Sequence, residues 1–198
     1  MTIGQTIRRY AAVLLALGGI GSMTVQGGPI PSLAAAQSFG FQAQGGADLK
    51  TGTAPDGSMS LRAEGNGKRD YGGLRLPRSL DLSQAGPDDY LEFDIKQNVD
   101  SGFYAFLKNS RGIAFTKSFP VAKDRWTTVR IPLRQELWRL SPDREKSPAW
   151  GNIEMLAWFH QALDKPGEYV EIGNPRLMIG NRDLLTLAPA PEVADDGR

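Results

Sequence analysis

In the run YLEFDIKQ, Tyr90–Gln97, apolar and charged residues alternate one for one: Leu91, Phe93 and Ile95 against Glu92, Asp94 and Lys96. A strand sends successive side chains to opposite faces, so this run is a strand with one face on a core and the other in water or in a groove. The run WTTVRIPL repeats the pattern with Val129, Ile131 and Leu133, and Pro132, which has no N–H, places that strand end at an edge or a bulge. Between Gln37 and Leu187 such short runs are broken by turn formers, among them Pro55-Asp56-Gly57, Asn66-Gly67 and Asn109-Ser110-Arg111-Gly112. Further strands are expected at Phe39–Ala43, Ser58–Ala63, Gly73–Leu76, Phe103–Lys108, Ile113–Phe119, Ile153–His160 and Tyr169–Ile179. About nine strands in one domain predict an all-β, two-sheet antiparallel β-sandwich. The long irregular piece 134–151 carries one helical turn near Gln135–Arg139.

The first 36 residues stand outside that pattern. Arg8 and Arg9 precede a short apolar stretch, Ala11–Ile20, and Ala34-Ala35-Ala36 offers the small residues that a signal peptidase accepts before Gln37. A stretch so short cannot cross a hydrocarbon core of about 30 Å as a helix. Residues 1–36 are therefore expected to be a signal peptide and 37–187 the folded domain. Residues 188–198, with almost nothing to bury, should be a disordered tail. The mature chain is expected in the periplasm or outside the cell, with no transmembrane span.

Composition removes many chemistries. The chain has no cysteine, so neither a disulfide, a thiol nucleophile nor a cysteine-ligated metal is available. Its single histidine, His160, excludes any site needing two imidazoles. The formal charge of +1 gives no footprint for nucleic acid. The sequence contains neither a phosphate-binding loop nor a Gly-x-Ser-x-Gly elbow.

The order DYLEFDIK, GFYAFLKNSRG, WTTVRIPL, WGNIEML and GEYVEIGNPRLMI resembles the galactose-binding-like jelly roll of carbohydrate-binding modules and of the complex I intermediate-associated protein family. Trp126 with Ile131-Pro132-Leu133, and Val170, Ile172, Asn174, Arg176 and Leu177, hold the places that carry the likeness over roughly Ser58–Ile179. The resemblance implies a jelly-roll sandwich and a poly- or oligosaccharide partner. The one cofactor it raises is a structural calcium between the N-terminal strand and the last. Its oxygen ligands are sparse here: only Asp48 and Asp56 are acidic between Phe39 and Ser58, and Asn174 stands where an acid is common.

Sugar sites use flat rings against the apolar sides of pyranoses and polar groups to fix the hydroxyls. Trp138, in the irregular piece, is a candidate ring, and Trp126 and Trp150 read as packing. In IEMLAWFHQ both faces are apolar: if Met155 and Phe159 are core, Glu154, Trp158 and His160 line the open face, and if not, Trp158 is core and His160 is a polar residue at the strand end. Tyr104 and Phe106 pose the same choice against Phe103, Ala105 and Leu107. Glu92, Asp94 and Arg130 share an outward face that suits charge-assisted hydrogen bonds to hydroxyls. The candidate ligand residues are thus Glu92, Asp94, Tyr104, Arg130, Trp138, Trp158 and His160. The leading expectation is a non-catalytic glycan-binding module using a concave sheet or its loop rim. The alternatives are a protein–protein assembly domain of the envelope and a jelly-roll glycoside hydrolase or lyase. Catalysis would need an acid and a base from different strands, for which Glu154 opposite Glu92 or Asp94 is the one combination offered.

Overall fold

The computed structural model describes residues 33–100, 102–109, 112–115, 118–140, 150–160, 163 and 165–185. Most of the expected signal peptide and the C-terminal tail lie outside them, as does the centre of the irregular piece. A short helix, α1 (Leu33–Phe39), precedes twelve strands. These are β1 (Gln42–Gly45), β2 (Ala47–Thr53), β3 (Met59–Gly65), β4 (Gly72–Leu80), β5 (Tyr90–Gln97) and β6 (Phe103–Asn109), then β7 (Gly112–Phe115), β8 (Thr127–Pro132), β9 (Arg139–Leu140), β10 (Ile153–His160), β11 (Tyr169–Ile179) and β12 (Arg182–Asp183). A single 3₁₀ turn at Gln135–Leu137 meets the helical turn expected there.

The strands form two antiparallel sheets. One has the order β1-β4-β10-β6-β7-β9. The other has five strands in the order β2-β3-β11-β5-β8, and is called the five-stranded sheet for that row, with the two-residue β12 attached to β11 as a sixth strand outside it. Successive strands repeatedly change sheet, so apart from the β2–β3, β6–β7 and β11–β12 hairpins the pairings join strands distant in sequence. This is the predicted all-β sandwich, with more strands than the expected nine. β9 and β12 are two residues long, and β2 (ADLKTGT) lies at a sheet edge where only Ala47 is fully buried, so its sequence carries no alternation to read. β8 is the opposite edge of the same sheet, the position that Pro132 demands.

The alternation of β5 becomes burial residue by residue: Leu91, Phe93 and Ile95 are wholly enclosed, while Glu92, Asp94 and Lys96 reach the surface. Phe93 crosses the interior to meet Trp158 edge-on at 5.8 Å and Phe103 at 5.5 Å, and Phe41 stacks on Trp158 at 6.2 Å. These rings join the two sheets, each contributing about 1.5–3 kcal/mol through burial. Helix α1 is not anticipated by the sequence. It straddles the Ala36–Gln37 junction, with Ala36 packed into the core.

Candidate functional site

Strand β10 decides where the aromatic side chains go. Leu156, Trp158 and His160 are completely buried between the sheets, and Met155 and Phe159 emerge on the outward face of the six-stranded sheet. Register carries that face across three strands: Phe159 lies opposite Tyr104 of β6 and Gly73 of β4, and Ala157 lies opposite Phe106 and Arg75. Phe159 is the hub of a ring cluster, 5.5 Å from Tyr71, 6.1 Å from Phe106 and 6.4 Å from Tyr104. Phe106 is nearly enclosed, and the other three rings are partly exposed.

Two glycines hold the cluster in place. A side chain on Gly73 would collide with the β10 backbone at Trp158, so the glycine permits the close approach of β4 to β10. Gly45, at φ +68°, lets the Tyr71 ring lie against the end of β1, where a Cβ would stand 2.7 Å from the ring. Beside the rings opens a cleft of about 430 Å³ lined by Arg69, Tyr71, Arg75, Phe106, Lys108 and Met155, among others. Arg75 Nε donates to Gln42 Oε1 at 3.0 Å, and Arg69 donates to the Tyr71 hydroxyl at 3.4 Å. An apolar floor of mutually tilted rings edged by hydrogen-bond donors can take the apolar side of a ring-shaped polar ligand and fix its oxygens.

The outward face of the five-stranded sheet is different. Arg130 donates from Nε and Nη2 to Glu92 Oε2, both at 2.6 Å, and its guanidinium lies 4.0 Å above the Tyr90 ring. Asp94 accepts from Thr128 Oγ1 at 2.6 Å and from Asn174 Nδ2 at 3.0 Å. Glu171, almost wholly buried, accepts from Arg62 at 2.8 Å and from the Ser60 hydroxyl, and Lys50 meets Glu64 at 2.6 Å. This face is largely occupied with itself.

Of the seven residues selected from sequence, Tyr104 alone lies on the aromatic face. Glu92, Asp94 and Arg130 stand together on the other sheet, paired as described. Trp158 requires a correction: it is the central ring of the core, with no exposed surface, because its face of β10 meets Phe93. His160 is corrected with it, enclosed two residues further along the same inward face. Trp138 is also corrected. It is 5% exposed, donates Nε1 to the Pro132 carbonyl at 3.1 Å and meets Trp150 edge-on at 6.0 Å, closing one end of the sandwich. Glu154 belongs to the six-stranded sheet and Glu92 and Asp94 to the outside of the other, so the acid–base pair offered from sequence is split between two sheets.

Phe159, Tyr71, Arg75, Arg69 and Lys108 were not among the selected residues. Strand β4 holds the usable signal, since Leu74 and Leu76 alternate with Arg75 and Pro77. Whichever face of β10 aligns with Arg75 must be outward, but the pairing of β4 with β10 is not written in either strand.

The residues around the implied calcium position do not fit that ion. Asp56 accepts from Ser58 N and Oγ, which holds its carboxyl below the ordinary carboxylate range, and Asn174 bridges Ser58 to Asp94. Among the described residues no three Asp, Glu or His side chains converge as a metal group would require.

No protein-family model matches the chain, and no curated protein matches it. Solved structures do. The family 11 carbohydrate-binding module of the cellulosomal cellulase Lic26A-Cel5E of Clostridium thermocellum aligns with a TM-score of 0.50 at 19% identity, over 71% of this chain and 86% of that one. An exo-beta-agarase aligns at 0.53 with 16% identity, over 73% of this chain and 23% of that one. PfGH50B aligns at 0.50 with 13% identity, over 75% of this chain and 23% of that one. The chain spans less than a quarter of the length of these last two. At such identities the likeness is one of fold. The chain is built on the jelly-roll β-sandwich found in carbohydrate-binding modules, as its strand order and turns lead one to expect.

Proposed function

We propose that this chain is an exported, non-catalytic module that holds a poly- or oligosaccharide against the outward face of its six-stranded sheet. The observation that carries this reading is the ring cluster of Tyr71, Phe159, Tyr104 and Phe106 beside a donor-lined cleft. Rings kept partly exposed on a sheet face cost solubility and contribute little to the core, so a ligand gives them a purpose. A protein-docking face would instead present a broad apolar patch, and among the described residues Leu137 is the one large apolar side chain classed as exposed. The jelly-roll likeness to a carbohydrate-binding module supports the same reading. Residues 1–36 act as the export signal, 37–187 form the module and 188–198 its tail.

The test is calorimetric titration of exported protein, produced from the full chain, against a panel of soluble plant, algal and bacterial polysaccharides. A mass beginning at Gln37 is expected, together with binding to one glycan class. Phe159→Ala should weaken that binding at least about tenfold, equivalent to about 1.4 kcal/mol, while the protein keeps a cooperative thermal transition. Silence across the panel from folded protein would sink the reading. Pull-down from envelope extract would then test the assembly alternative.

A further inference from the structure

The cations of this protein are distributed in a way that its net charge conceals. On the five-stranded sheet Lys50, Arg62 and Arg130 each lie within 2.8 Å of a carboxylate oxygen, while Lys96 and Arg176 make no ion pair among the described residues. Around the cleft Arg69, Arg75 and Lys108 have no such partner, and no carboxylate contributes to its lining. Among the described residues none of these three cations makes an ion pair. Arg75 uses only Nε internally, on Gln42, and its two Nη groups are uncommitted. Lys108 is partly buried at the cleft wall beside Met155, and its ammonium makes no hydrogen bond to a described residue.

Hydrogen-bond capacity points the same way as charge. Arginine and lysine side chains only donate, so the cleft is rich in N–H and poor in acceptors. Neutral sugars present hydroxyls that need both, and carboxylates commonly serve as the acceptors. A cleft with three cations and no lining acid suits a ligand whose own oxygens carry the negative charge. Such oxygens accept strong, short hydrogen bonds from guanidinium and ammonium groups.

Resting on the glycan-binding reading above, we propose that the cleft selects acidic glycans, chains bearing carboxylate or sulfate groups. The sugar rings lie on Tyr71, Phe159 and Tyr104, and the anionic substituents reach Arg69, Arg75 and Lys108. The rings set where the chain lies and the cations set which chain is accepted.

The test compares glycans that differ in charge on related backbones: polygalacturonate against its methyl ester, and carrageenan against agarose, titrated calorimetrically into the full-chain protein. At low salt at least one charged member should bind about tenfold or more tightly than its neutral counterpart, and about 0.5 M NaCl should remove most of that advantage. Arg75→Gln combined with Lys108→Gln should abolish the preference for the charged member and leave the melting temperature unchanged. Binding confined to the galacturonate pair or to the carrageenan pair would identify the anion as carboxylate or sulfate, and either supports the proposal. Equal, salt-insensitive binding of charged and neutral members would overturn it while leaving the glycan reading intact. Failure to bind any of the four while binding a neutral glycan of the wider panel would overturn this proposal alone, and failure to bind the wider panel as well would overturn both.

Discussion

The two outward faces of this sandwich are built from similar strands and arrange their polar groups in opposite ways. On the five-stranded sheet polar side chains meet one another across the ladder: Arg62 with Glu171, Arg130 with Glu92, Asp94 with Thr128 and Asn174. On the six-stranded sheet the centre is aromatic, and among the described residues the cations beside it make no ion pair. The first face pairs most of its charges internally, and the second holds three cations that make no ion pair among the described residues. Charged residues on a strand therefore say little about binding until their neighbours on adjacent strands are known.

The sharpest way to test this contrast is Arg62→Leu. Glu171 is almost fully buried, and its charge would lose its partner. The loss should be about 3 kcal/mol, read by chemical denaturation, with glycan affinity of the folded protein unchanged. A loss below about 1 kcal/mol, in the range of exposed pairs, would show that the polar face does not hold the sandwich together. A smaller effect is expected from Glu92→Gln, because Arg130 in that pair is 58% exposed. Stability should change by less than about 1 kcal/mol, and glycan binding should not change. A tenfold drop in glycan affinity would place the ligand on this face after all and dissolve the distinction.

The smallest effect concerns acid. Hydrogen bonds from the Ser58 hydroxyl and then the Ser58 amide keep the Asp56 carboxyl below its ordinary value of 3.8. A carboxyl lowered in the folded state adds stability above its unfolded pKa, and this is lost as pH falls through the folded value. Asp56→Asn should therefore lower stability slightly at neutral pH and flatten the acid limb of a stability–pH profile below about pH 4, so that variant and parent converge in acid. An unaltered acid limb would remove Asp56 from the groups that stabilise the turn.

Much of the fold was legible because it rests on local pattern. YLEFDIKQ became β5 with the expected bounds and faces, and IEMLAWFH became β10 over the expected span. The face of β10 was not legible, because Trp158 and Phe159 are both large and apolar and two-residue alternation cannot rank them. What settles the choice is pairing between strands some eighty positions apart, where Arg75 of β4 aligns with Ala157. Tyr71 and Arg69 precede β4 in a turn-rich stretch whose composition gives no hint of a cleft. Tyr104 could be weighed because its strand alternates, and Trp138 misled because a tryptophan in an irregular segment looks exposed in sequence. Its ring fills the end of the sandwich instead, against Trp150.

Neighbours in the chain, Trp158 and Phe159 stand on opposite sides of a single strand, one in the interior and one on the cleft face. None of the four tryptophans lines the cleft, whose aromatic surface is tyrosine and phenylalanine. Indole emission from this protein will accordingly follow melting and report little of cleft occupancy. Tyr71→Trp would place a fluorophore in the cleft and give the proposed binding face an optical signal separate from that of the core.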